Sequence, residues 1–141
     1  KGTDLASKPY ARPLSPHLGI WRWGPHMLVS ILHRATGVAN SVGLGLLVWW
    51  LAAIAGGEDS YATFVDVFTV SGGGLNVIGY VVGIGLTLTV FQHMASGVRH
   101  LVLDIGAGYE LRKGKMTAMA TMVFSPLATI AFWAWLLVGK H

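Results

Sequence analysis

The sequence predicts an all-α integral membrane protein with three transmembrane helices, and three observations carry that prediction. Hydrophobic residues make up 53% of the 141 residues and Asp, Glu, Lys and Arg only 11%, against roughly 25% charged in a typical soluble domain; the mean hydropathy is +0.58. Uncharged runs cover 35–57, 67–98 and 116–139, each at or above the roughly 20 residues a helix needs to cross about 30 Å of hydrocarbon. The basic residues are collected ahead of the first run and between the second and third, as topology would distribute them.

Several functions are excluded at this level. Three spans leave little chain for a soluble domain. The net charge of +4 follows the membrane topology, so nucleic acid is not an expected partner and membrane lipid is. The absence of cysteine rules out thiolate metal sites and disulfides in this chain. The first apolar run begins after more than thirty residues that include Lys1, Lys8, Arg12, Arg22 and Arg34, which argues against a cleavable signal peptide.

Residues 1–29 read as an N-terminal interfacial arm, and 30–139 as the three-helix transmembrane domain. Pro9, Pro13 and Pro16 prevent a continuous helix in the arm. Trp21 and Trp23 beside Arg22 have the composition of a headgroup-level belt.

The first span is expected over about 26–55. Ser30, Arg34 and Gly37 fall on one stripe by i+4 and i+3 spacing, with His33 beside it. An arginine near a helix end snorkels to the headgroups when it stands alone; accompanied by Ser30 and His33, it favours a polar pocket. Gly37, Ser41 and Gly45 repeat small residues every fourth position, a pattern that admits close approach of another helix.

The 56–74 segment contains Glu58, Asp59 and Asp66 but no lysine or arginine, whereas Arg112, Lys113 and Lys115 follow the second span. The positive-inside rule puts the arm and the 104–116 loop on the cytoplasmic or matrix side, and the 56–74 loop on the other. Tyr61, Phe64, Val65 and Phe68 recur at helical spacing, which predicts a short interfacial helix over 61–70.

The second span, about 75–104, carries the densest chemistry. His93 and His100 lie two turns apart on one face, with Gly97 between them and Asp104 one turn beyond. Arg34 and Ser30 on the outgoing helix fall at the depth of His100 and Arg99 on the returning one. His93 sits roughly 10 Å deeper, at 1.5 Å per residue. A histidine at that depth is a functional candidate by default; the alternative is a neutral ring hydrogen-bonded to a neighbouring helix. Asp104 reads as a surface carboxylate at a helix end. The third span, about 117–138, holds Pro126, expected to bend it, and Phe132, Trp133 and Trp135 near the outer interface.

Three motifs then resemble the large cytochrome b anchor subunit of succinate dehydrogenase, respiratory complex II: Arg12-Pro13-Leu14-Ser15-Pro16-His17-Leu18, Ser30-Ile31-Leu32-His33-Arg34-Ala35-Thr36-Gly37, and His93 through Gly97 to Arg99-His100-Leu101 and Asp104. The resemblance spans nearly the whole chain. One departure is Trp21, where the family often has tyrosine.

That resemblance implies that His93 is an axial ligand of haem b, so that the bound metal is haem iron, and that Ser30 and Arg34 contribute to a ubiquinone pocket. It also implies that His33, Arg34 and His100 lie near the haem propionates or that pocket, with Gly97 making room for the porphyrin. The partners implied are a small membrane-anchor subunit supplying the second haem ligand and completing a helical bundle, an iron-sulfur subunit, and a flavoprotein subunit that oxidises succinate. The chain alone would not be catalytic. Its expected location is the bacterial inner membrane or the mitochondrial inner membrane. Two other functions remain open on the residues: a different quinone-linked cytochrome b, and a structural membrane anchor with no redox role.

Overall fold

The computed structural model describes residues 23–139; the motif from Arg12 to Leu18, Trp21 and most of the expected arm lie outside the described residues. Four helices follow in order: α1 (Pro25–Ala55), α2 (Glu58–Phe68), α3 (Val77–Asp104) and α4 (Leu111–Val138). Three of them, α1, α3 and α4, are long and apolar enough to cross a membrane.

Each boundary has a local cause. Pro25 occupies the first turn of α1, where its missing N–H costs nothing and its fixed φ suits the helix. The helix ends at Gly56, and Gly57 turns the chain with φ 92° before Glu58 and Asp59 open α2, their charges favoured by the helix dipole. Asn76 caps α3: its side-chain oxygen accepts from the Gly79 amide at 2.8 Å while its amide donates to the Val67 carbonyl at 2.9 Å. Gly79 lies against the Phe68 carbonyl with no room for a Cβ, so the α2–α3 turn closes tightly.

The observed limits of two elements differ from expectation. The short helix runs Glu58–Phe68 rather than 61–70; its aromatic face meets the outer end of α1, with Trp49 edge-on to Phe64 at 4.8 Å. α4 begins at Leu111, inside the segment expected to be a loop, and continues through Pro126.

α3 runs between α1 and α4 and antiparallel to both. Against α1, His33 pairs with Ser96 and Asn40 with Thr89; against α4, Arg99 pairs with Thr117, Gln92 with Ser125, and Thr87 with Trp133. Small residues set the spacing: a Cβ on Gly43 would come within 2.8 Å of Leu86, and one on Gly83 within 2.9 Å of Trp133.

The interior inverts the pattern of a water-soluble protein. The buried positions include Thr36, Gln92, Ser96, Thr121, Ser125 and Thr129, while Val, Leu, Ile and Trp side chains along all three spans are exposed. In hydrocarbon, apolar groups gain nothing by turning inward, so packing is left to small residues and to hydroxyls that bond their own helix carbonyls. Thr121, Ser125 and Thr129 each do so at 2.8 Å.

The antiparallel order gives a direct topological test. Tags in the 69–76 turn and in the 105–110 turn are expected to report opposite sides of the membrane, the latter on the side of the basic residues 112–115. Two tags on the same side would contradict a three-span chain.

Candidate functional site

Towards the N-terminal end of α1 and the C-terminal end of α3, three imidazoles form one column. His33 stacks on His93 with ring centroids 4.0 Å apart and planes 10° from parallel, and on His100 at 4.9 Å and 26°. The sequence places His93 and His100 two turns apart on α3; His33 comes from α1 and fills the gap between them. Gly37 and Gly97 permit this approach. A Cβ on Gly37 would stand 3.2 Å from His93 Cε1, while one on Gly97 would make ordinary contact, 3.9 Å, with His33 Cε1. Within this chain, Gly37 is the tighter of the two.

The hydrogen bonds fix which nitrogens carry protons. His93 Nδ1 lies 3.1 Å from the His33 carbonyl and 3.2 Å from Thr36 Oγ1. A carbonyl can only accept, so in the neutral ring Nδ1 bears the hydrogen and Nε2 keeps its lone pair. His100 Nδ1 donates in the same way to the Ser96 carbonyl at 2.7 Å. His33 Nδ1 meets Ser96 Oγ at 2.7 Å. Ser96 is fully buried and ties the column together, since its hydroxyl also reaches the Gln92 carbonyl at 2.7 Å and its own carbonyl receives His100.

This geometry suits ligation of an external metal by one ring. A ligating histidine characteristically gives its other N–H to a backbone carbonyl or carboxylate, which orients the ring and raises its basicity. His93 meets that condition: its face is taken by His33, Nδ1 by the carbonyl, and Nε2 has no partner among the described residues. Stacked rings do not converge on a common centre. Accordingly, no group of three or more His, Cys, Asp or Glu among the described residues is arranged to hold a metal ion.

Ser30 and Arg34 stand one turn apart near the N-terminal end of α1. Ser30 is half-buried and Arg34 exposed, and neither forms a hydrogen bond or ion pair with another described residue. An apolar groove of about 560 Å³ lies nearby between α1 and α4, lined by Trp23, Pro25, Leu28, Met119 and Met122. Neither Ser30 nor Arg34 lines it. Arg99, by contrast, is committed to structure: Nε donates to Thr117 Oγ1 at 3.1 Å and a terminal nitrogen to the Gly114 carbonyl at 3.3 Å, which ties the end of α3 to the start of α4.

Two residues of this cluster are absent from the reading by sequence, Thr36 and Ser96. Their signal was present: Thr36 follows His33 by three, and Ser96 lies three after His93 and four before His100, both on the stripe that carries the histidines.

The known proteins with the most bearing on this site belong to one family. The model described as succinate dehydrogenase/fumarate reductase transmembrane subunit matches residues 8–132. The succinate dehydrogenase cytochrome b556 subunit of Rickettsia felis is 31% identical over 122 residues, which cover 86% of this chain and 90% of that protein. The corresponding subunit of Rickettsia bellii is 32% identical over 125 residues, 86% and 90% of the two chains. The mitochondrial cytochrome b560 subunit of Sus scrofa is 30% identical over 119 residues, 84% of this chain and 68% of that one. With three membrane-spanning helices, a histidine column between two of them and a match along nearly its whole length, the chain belongs to the succinate dehydrogenase/fumarate reductase transmembrane subunit family.

Proposed function

We infer that this chain, as the cytochrome b anchor of a succinate dehydrogenase, ligates haem b through His93 and contributes Ser30 and Arg34 to the site where ubiquinone is reduced. The observation that carries the reading is the state of His93: Nδ1 is bound to the His33 carbonyl at 3.1 Å, and Nε2 is left as the donor atom in a water-poor part of the bundle. A second ligand to the iron would come from a small anchor subunit, since His33 and His100 stack with His93 in the column rather than oppose it.

When bound, haem b supplies a one-electron carrier inside the membrane. The chain's own residues do the rest. His93 would hold the iron through Nε2, and His33, Arg34 and His100 would offer hydrogen-bond donors or positive charge to the propionates. Gly97, with no side chain, would leave room on α3 for the porphyrin. Ser30 donates a hydrogen bond to a quinone carbonyl, and the Arg34 guanidinium favours the site as negative charge builds on the oxygen. Electrons arrive from succinate through a flavoprotein and an iron-sulfur subunit docked on the inner face, and water at that face supplies protons.

A reduced-minus-oxidised absorbance spectrum of the purified complex tests the reading. The expected result is a b-type haem at one per complex. A complex active in succinate oxidation but lacking that spectrum would reduce this chain to a structural anchor, and two haems per complex would indicate a different cytochrome.

A further inference from the structure

We propose that Thr36 is a positioning residue for the haem ligand, its hydroxyl serving as the second acceptor for the Nδ1–H of His93. The inference rests on the assignment of His93 as the ligand and extends it to a residue that touches neither iron nor quinone.

The argument follows the one hydroxyl proton. Thr36 Oγ1 lies 2.7 Å from the Leu32 carbonyl and 3.1 Å from the His33 carbonyl. Both partners only accept, so the proton is spent on the helix's own backbone, chiefly on Leu32. The oxygen's lone pairs are then left for His93 Nδ1 at 3.2 Å. Nδ1–H is therefore shared between two acceptors from one turn of α1, the His33 carbonyl at 3.1 Å and Thr36 Oγ1. Each bond alone is long, as expected of a three-centre arrangement. Together they fix the ring about its Cβ–Cγ bond, since both acceptors must stay near the plane of the imidazole.

Burial makes this hydroxyl hard to replace. Thr36 is 7% exposed, so water is poorly placed to substitute for a lost acceptor. Threonine also suits the geometry: its branched Cβ restricts χ1 on a helix to the rotamers that bond the carbonyls one turn back. The effect on the metal is electronic as well as steric. An acceptor at Nδ1–H makes the imidazole a stronger donor through Nε2, which stabilises the oxidised iron more than the reduced iron. Removing one acceptor of two shifts the midpoint potential upward.

The test compares Thr36→Val, Thr36→Ala, Thr36→Ser and, as a packing control on α4, Thr121→Val, each in the assembled complex purified from membranes. The proposal expects the valine and alanine variants to retain haem with a more positive midpoint potential and haem binding weakened by about 10-fold, the lower end for partners of metal ligands. Serine restores both, and Thr121→Val changes neither. Valine and alanine variants with haem at the wild-type potential would overturn the proposal. Disappearance of the subunit from the membrane in both variants would also overturn it, by making Thr36 a folding residue. His93→Ala is measured alongside. A spectrum that survives that replacement defeats the ligand assignment itself; loss of the spectrum there, with unmoved potentials in the Thr36 series, defeats only the positioning role.

Discussion

Replacing His93 by alanine is expected to remove the b-type haem spectrum from the complex while leaving the chain in the membrane. The ring contributes three things at once: the Nε2 lone pair, the orientation set by the His33 carbonyl at 3.1 Å, and the stacked face against His33 at 4.0 Å. Alanine deletes all three. His33 and His100 are the described imidazoles stacked in the same column. His33 Nδ1 is held by Ser96 Oγ and His100 Nδ1 by the Ser96 carbonyl, both at 2.7 Å. His33 lies between the other two rings, and His100 stands seven residues, or roughly 10 Å, nearer the end of α3 than His93, so neither can reach a group bound at His93 without moving. Haem content measured spectroscopically should fall from one per complex to background, whereas replacing His17, which the sequence places in the polar arm ahead of α1, should leave it intact. An unchanged spectrum in the His93 variant would reject the assignment.

The three spans were legible because hydrocarbon tolerates few charges: 35–57, 67–98 and 116–139 stand out as uncharged runs. The same criterion misplaced the start of α4. Charge alone puts Arg112, Lys113 and Lys115 in a loop, yet the helix begins at Leu111, since long basic side chains on a first turn reach the headgroups without leaving the helix. Charge likewise puts Glu58 and Asp59 in a loop, although acidic residues suit the first turn that they occupy in α2.

Site chemistry was legible residue by residue but not as an arrangement. Spacing puts His93, Gly97 and His100 on one face of α3, and Ser30 and Arg34 on one stripe of α1. It says nothing about how far α1 slides along α3, or how each helix is rotated. Those quantities are set by close approach at Gly37 and Gly43 and by the Asn40–Thr89 bond at 2.8 Å. They bring His33 between the two α3 histidines, and they turn Thr36 and Ser96 from unremarked helix hydroxyls into the groups that hold the rings.

Replacing Ser30 by alanine or Arg34 by leucine is expected to depress succinate-to-quinone turnover severely while succinate oxidation by an artificial acceptor continues. Quinone arrives through the bilayer as a neutral, hydrophobic molecule and needs polar groups at its oxygens only as electrons and protons are added. Ser30 offers a hydrogen-bond donor and Arg34 a fixed positive charge, one turn apart near the N-terminal end of α1, and no described residue has already claimed either. The location matches the chemistry: protons come from water at this surface, and the column of His93, His33 and His100 starts from the same turn of α1, where His33 lies between Ser30 and Arg34. Loss of one such donor or charge costs about 2.7–4 kcal/mol, or roughly 100- to 1,000-fold in rate. An exposed arginine that merely snorkelled to headgroups would contribute far less, about 1 kcal/mol or under. The size of the effect therefore separates the two roles. The artificial acceptor draws electrons from the soluble subunits ahead of the quinone, so its rate reports whether the complex is assembled. If both activities fell together with loss of the complex, Ser30 and Arg34 would be structural; if quinone turnover stayed within a few-fold of wild type, the quinone would have to be held elsewhere.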